Sequence, residues 1–184
     1  MKTQHRIILF AALGTLVATV GGCSSSDTSG DTTVATPAEV ANLYGAGLVD
    51  PPQPNEAVLT ASVRGKVTKL SIESLKSLPV TTVELFEPFI KIRSSFAGVS
   101  LADLFQAVGI EAADSVGTLA LNEYEYVNTA GEFTASDGLL AYEQDGHPIP
   151  VDRGGPIRIV FPDGSALSVA LEAWNWALSS ITVK

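Results

Sequence analysis

The sequence predicts an α+β domain with a mixed or barrel-like sheet and short helices. Three observations lead there. Extended segments, alternating or β-rich, recur from residue 58 to residue 183, the helical periodicities between them are brief, and strands and helices alternate without a repeating βαβ rhythm.

The elements follow in order. Residues 58–63 alternate like a strand, Gly65 turns the chain, and 68–70 begin a second extended piece. Residues 71–78 carry apolar side chains at helical spacing behind a Ser71 cap, and Pro79 ends them. Residues 81–86 and 89–93 are β-rich and read as a pair of strands. Ser100-Leu101-Ala102-Asp103 is a capping box in front of Leu104, Phe105 and Val108, with Gly109 at the stop, which predicts a helix over 101–108. Beyond it, strands are expected at 118–121, 125–128, 139–144, 157–161 and 166–169, with turns at Asp145-Gly146 and Asp163-Gly164. A helical stretch over 170–177 and a closing strand over 180–183 complete the reading.

Composition limits the function. The chain has 184 residues, 46% of them hydrophobic, with 20 acidic against 11 basic side chains, a formal charge of −9, two His and one Cys. The acidic balance argues against a nucleic-acid partner, since phosphate binding needs clustered Lys and Arg. One Cys excludes an internal disulfide and any zinc site built on several thiolates.

That cysteine divides the chain. Lys2, His5 and Arg6 precede an apolar run over 7–20, and Val20-Gly21-Gly22 leads into Cys23. This is the layout of a secretory signal, too short in its apolar run for a comfortable membrane span. It resembles the lipobox of bacterial lipoproteins, which implies cleavage before Cys23 and lipidation of its thiol. Residues 1–22 are then a discarded signal, and the protein is expected outside the cytoplasm, lipid-anchored to a bacterial membrane at the periplasmic face or the cell surface. The mature part keeps 9 basic against 20 acidic residues, a formal charge of −11, so the lipid rather than headgroup attraction must hold it there. Residues 23–55 are rich in Ser, Thr, Asp, Gly and Pro and read as a disordered tether with a stiffer Pro-rich end, its mildly apolar piece at 38–48 being a candidate short helix. Residues 56–184 are left as the domain.

Three segments of that domain together resemble the oxidoreductase molybdopterin-binding domain, the fold first associated with sulfite oxidase. They are Phe96-Ala97-Gly98-Val99-Ser100-Leu101-Ala102-Asp103-Leu104-Phe105; the run 146–162 with Gly146-His147-Pro148 and Gly154-Gly155-Pro156-Ile157-Arg158; and Ala61-Ser62-Val63-Arg64-Gly65 followed by 70–75 and Leu78-Pro79. The middle segment is the most specific of them. In catalytic members a Cys thiolate ligates molybdenum about a dozen residues before the position of Gly98, near Phe86, yet residues 80–98 hold no Cys, and Leu85, Phe86 and Glu87 offer no soft ligand. Molybdenum is therefore not expected, nor any catalytic residue or metal ligand. Residues 119–124, 140–146 and 176–183 are similar to small secreted members that lack this Cys, some of which bind a pterin and partner membrane sensor proteins. Arg158, where such members often have an uncharged residue, departs from that subset. The resemblance thus implies a non-catalytic pterin- or molybdopterin-binding protein; a molybdopterin oxidoreductase with a displaced metal ligand and a ligand-free docking module are the alternatives.

A pterin is a flat heteroaromatic ring, so its site needs an aromatic face and polar groups aimed at the rim. Trp174, Asn175 and Trp176 supply two indoles and an amide. On a strand both indoles share a face, and on a helix they diverge. The alternative is plain packing, Trp176 in the core and Trp174 half exposed. Arg158, at the start of an apolar strand, either points outward by alternation or is recruited to an anion or a carboxylate. Asn122 and Tyr124 lie where catalytic members have a substrate-facing loop, although a solvated strand end explains them as well. His147, between Gly146 and Pro148, reads as a turn residue, and with one imidazole left after processing neither a multi-histidine metal site nor a hydrolase triad with its Gly-x-Ser-x-Gly elbow is present.

Overall fold

The computed structural model describes residues 51–184; the signal, Cys23, most of the tether and the candidate helix at 38–48 lie outside the described residues. Residues 51–55 lead into the domain through an exposed turn in which the Glu56 N–H donates to the Gln53 carbonyl (2.9 Å).

Among the described residues ten strands form two sheets that share one core. The first sheet contains β1 (Ala57–Val63), β2 (Lys66–Ser71), β5 (Ser115–Ala120), β6 (Glu125–Thr129) and β10 (Leu178–Val183), in the order β2-β1-β10-β5-β6. β1 and β10 run parallel, with Thr60 opposite Ser180, and the other pairs are antiparallel, so the sheet is mixed as the sequence predicts. The second sheet contains β3 (Val80–Glu87), β4 (Ile92–Ser100), β7 (Leu139–Gln144), β8 (His147–Pro148) and β9 (Arg158–Val160). β8 and β9 both pair with β7, and neither sheet closes on itself.

Local chemistry explains the helices. α1 (Ile72–Lys76) starts where the Ser71 hydroxyl accepts the Ser74 N–H, and it buries Leu75. α2 (Leu101–Val108) starts where the Ser100 hydroxyl accepts the Asp103 N–H (3.0 Å) while donating to the Asp103 carboxylate (2.6 Å). It ends at Gly109, whose φ of 85° only glycine adopts without strain, and it buries Leu101, Leu104, Phe105 and Val108. Phe96, Phe133, Phe161, Leu139, Leu140 and Ile157 fill the space between the sheets and this helix.

The structure corrects the sequence reading at four places. A third helix, α3 (Ala130–Ala135), was not expected; its cap is Thr129, which accepts the Glu132 N–H, and Thr129-Ala130-Gly131-Glu132 is itself a capping box. The segment 166–169 is no strand but a 3-10 turn over Ala166–Ser168, closed by the Ser168 N–H and hydroxyl on the Ser165 carbonyl. The expected helix over 170–177 shrinks to a 3-10 turn at Leu171–Ala173: the Asn175 N–H closes a tight turn on the Ala173 carbonyl, and the Asn175 carbonyl and the Ala177 and Leu178 N–H groups bond to other segments. The strand expected at 89–93 begins only at Ile92, since residues 88–91 make the turn from β3 to β4.

Candidate ligand site at the seam of the two sheets

The segment from Trp174 to Leu178 stitches the sheets together. The Ile159 N–H donates to the Asn175 carbonyl (2.9 Å), the Ala177 N–H to Gly154 (2.7 Å) and the Leu178 N–H to Ile157 (3.0 Å). These bonds tie the chain before β10, in the first sheet, to the chain around β9, in the second. Trp174 itself sits in a tight turn (φ −79°, ψ 75°) closed by the Asn175 N–H on the Ala173 carbonyl (2.9 Å), after which the two indoles meet one ring, Phe89, and the amide meets β5. Both indoles meet Phe89 edge to face, with ring centroids 6.4 Å away for Trp174 and 5.2 Å for Trp176. The Asn175 Nδ2 donates to the Thr118 carbonyl on β5 (2.8 Å), and its buried Oδ1 accepts no hydrogen bond among the described residues.

Under Trp176 lies a buried ion pair. β3 turns Val83, Leu85 and Glu87 toward the core by its period of two, and the last of these is fully buried. Glu87 Oε1 accepts from Arg158 Nη2 (2.8 Å), while Oε2 accepts the N–H groups of Phe89 (2.9 Å) and Ile90 (2.6 Å), fixing the turn that carries Phe89. Arg158 is 1% exposed, and its Nη1 donates to the Arg153 carbonyl (3.0 Å). Its guanidinium stacks over the Trp176 ring at 4.2 Å and faces Phe96 at 5.7 Å. Burial pushes the Arg158 pKa down to about 10, outweighing the opposing hydrogen bond and charge of Glu87.

Glycines set how closely the neighbouring loop approaches. A Cβ on Gly155 would stand 1.8 Å from the Ile149 carbonyl oxygen, so no other residue fits without moving backbone. At the solvent edge, Phe89 is 44% exposed and Trp176 is partly buried, so the two rings, set at 73° to each other, put aromatic surface at the water boundary. Asp163 ties the end of the β3–β4 pair: its carboxylate accepts the Phe86 N–H (2.9 Å) and an Arg93 guanidinium bond (2.6 Å), and these, the backbone bond first, hold its pKa below the ordinary value.

Residues 87–170 match the family model described as the oxidoreductase molybdopterin binding domain. The fold is that of the oxidoreductase molybdopterin-binding domains. A solved structure agrees: the sulfane dehydrogenase SoxCD from Paracoccus pantotrophus superposes with a TM-score of 0.58 at 14% identity over 73% of this chain. The chain spans only 39% of that protein's own length, so the likeness concerns the fold. No curated protein sequence matches the chain.

Within this molybdopterin-binding fold the six residues singled out from the sequence fall into three places. Arg158, Trp174 and Trp176 gather around Phe89 and Glu87. Asn175 faces away, fully buried against β5. Asn122 and Tyr124 form the exposed turn from β5 to β6, where Asn122 Oδ1 accepts the Tyr124 N–H (3.2 Å) and the Tyr124 hydroxyl donates to the Glu172 carbonyl (2.9 Å), two residues before Trp174. The expected exposures of the indoles are reversed: Trp174 is 3% exposed, held by Phe161 and by an Nε1 bond to the Leu167 carbonyl (3.2 Å), and Trp176 is the indole nearer water. Arg158 is recruited to a carboxylate and does not point outward. Two residues escaped the sequence reading. Glu87 was legible through the alternation that buries Leu85, and Phe89 was hidden inside an expected strand.

Proposed function

We propose that this protein is an extracytoplasmic, lipid-anchored ligand-binding protein that takes a pterin or a similar flat heterocycle on the face of Phe89 and Trp176 without redox turnover. The observation that carries this reading is the solvent-facing aromatic pair backed by a buried guanidinium, inside a molybdopterin-binding fold. Stacking on Phe89 or on the water side of Trp176 would supply the ring contact, and Lys91 and Arg153, exposed on the turns that flank Phe89 and Arg158, are polar groups close in sequence to the site. Arg158 would act from beneath, polarising the indole it stacks on and keeping its edge fixed.

The donor set does not suit molybdenum. Residues 51–184 contain no cysteine, and among them no group of three or more His, Cys, Asp or Glu side chains stands together to hold a metal. Glu87, close to where catalytic relatives place their thiolate, has both carboxylate oxygens committed to Arg158 and to backbone N–H groups. The anchor rests on the lipobox at Cys23; among the described residues no helix is long and apolar enough to cross a membrane. A membrane sensor protein that reads the ligand-loaded state is the partner this arrangement fits.

Titration of the full-length protein in detergent with dihydro- and tetrahydropterins tests the reading. The chain has two tryptophans, and both belong to the site, so intrinsic fluorescence reports on it directly. Saturable quenching that is lost in Trp176→Ala is the expected result. Absence of saturable binding up to millimolar pterin would overturn it.

A further inference from the structure

We infer that Glu87 sets the ligand class of this site: it serves as a built-in counter-ion to Arg158, so the pterin accepted is the uncharged form without a phosphate group. The inference rests on the pterin reading and narrows it. A site that takes an anionic ligand keeps a cation available for it, by preference a guanidinium whose fork matches carboxylate or phosphate geometry. The seam has one buried guanidinium, Arg158: its Nη2 and Nη1 donate inward, to Glu87 (2.8 Å) and to the Arg153 carbonyl (3.0 Å), and its Nε, which has no hydrogen-bond partner among the described residues, is itself buried. Trp176 and Phe96 pack against the guanidinium, with ring centroids 4.2 and 5.7 Å from its Cζ, and Arg158 is 1% exposed.

The carboxylate is equally committed. Glu87 is fully buried, and its second oxygen holds the Phe89 and Ile90 N–H groups, so rotating it away from Arg158 would also release the turn that positions Phe89. An incoming phosphate would have to displace a carboxylate with three donors on it, or stand near it as a like charge in a poorly solvated place. Arg153 and Lys91 are exposed on the two flanking turns, where a contact to phosphate is worth only a screened surface ion pair. An uncharged ring stacking on Phe89 and Trp176 meets none of these costs.

The experiment compares dihydroneopterin with dihydroneopterin monophosphate, which share the ring and differ in the phosphate, on the full-length protein in detergent. Equilibrium dialysis and tryptophan quenching serve as the two readouts. The expected result is a preference of about tenfold or more for the unphosphorylated compound, narrowing in Glu87→Gln, whose amide oxygen still accepts the turn's N–H groups while the charge is gone. Equal or tighter binding of the phosphate form by the unaltered protein would overturn the assignment of Glu87 and leave the pterin reading standing. Failure of both compounds to bind would overturn both. The comparison in the unaltered protein decides the matter even where Glu87→Gln does not fold.

Discussion

Removing one partner of the Glu87–Arg158 pair should cost far more than removing both. Glu87→Ala strands a guanidinium that is 1% exposed and leaves the Phe89 and Ile90 N–H groups without their acceptor. An uncompensated buried charge of this kind costs about 3–5 kcal/mol. For a domain of about 130 residues, unfolding entropy near 2.1 cal/mol/K per residue translates that into a Tm lowered by roughly 10–18 °C. The pair as a unit is a different matter. Taking two charges out of water costs about as much as their mutual attraction returns, so a buried pair of this kind adds little net stability. Glu87→Gln with Arg158→Met keeps an acceptor for the turn, fills the space beneath Trp176 with an apolar chain, and should lie within about 2 kcal/mol of the parent. Urea and thermal unfolding of the parent, Glu87→Gln, Arg158→Met and their double variant give the coupling energy, expected at about 2 kcal/mol or more and favourable in sign. Additive single effects, or a Glu87→Ala variant that loses less than about 1 kcal/mol, would refute the placement of this pair in a dry interior.

Three further outcomes follow from the same structure. Trp174→Ala should lose about 3–5 kcal/mol of stability, whereas Trp176→Ala, at a wetter position, should lose less and abolish pterin quenching; equal losses measured by urea titration would contradict the exposures assigned to the two indoles. Gly155→Ala places a methyl group against the Ile149 carbonyl and should destabilise by about 3 kcal/mol or more, visible as a lowered unfolding midpoint, and a midpoint unchanged from the parent would show that the 149–155 loop is not held as described. Asp163 has a folded-state pKa depressed below its unfolded value of 3.8, so its stabilising effect is complete above that value and is lost as pH falls through the folded one. Asp163→Asn should therefore flatten the decline of Tm on acidification, and an unchanged acid limb in a series from pH 6 to pH 2 would count against the Asp163 contacts to Phe86 and Arg93.

Much of the fold was legible where a single local rule acted alone. Ser71 and Ser100 announced α1 and α2 because an N-cap is satisfied within three residues, and Gly109 marked a stop that depends on its own φ. The same logic was available at Thr129 for α3 and was masked by Gly131, a poor helix former whose N–H bonds across to the Ala112 carbonyl (2.8 Å). Residues 166–174 follow short local bonds, Ser168 on Ser165, Ala170 on Leu167 and Trp174 on Leu171, which neither a strand nor a helix periodicity announces. From Asn175 on, the partners are Ile159 in β9 and Gly154 and Ile157 just before it, so tertiary bonds rather than periodicity decided there.

The site was legible in its residues and obscure in its geometry for a related reason. Arg158 in an apolar strand demanded a compensating group, and the candidates were solvent, an anionic ligand or a carboxylate from elsewhere in the chain. Its partner is 71 residues earlier in the sequence, and only the antiparallel path from β3 through β4 and β7 to β9 brings the two within 2.8 Å. The carboxylate that meets Arg158 stands at the end of β3, beside Leu85 and Phe86, where the chain offers no thiolate. A chain that supplies its own anion to Arg158 needs none from a ligand to fold around it, and on the proposed reading that leaves the aromatic surface above it to act as a receptor for an uncharged ring.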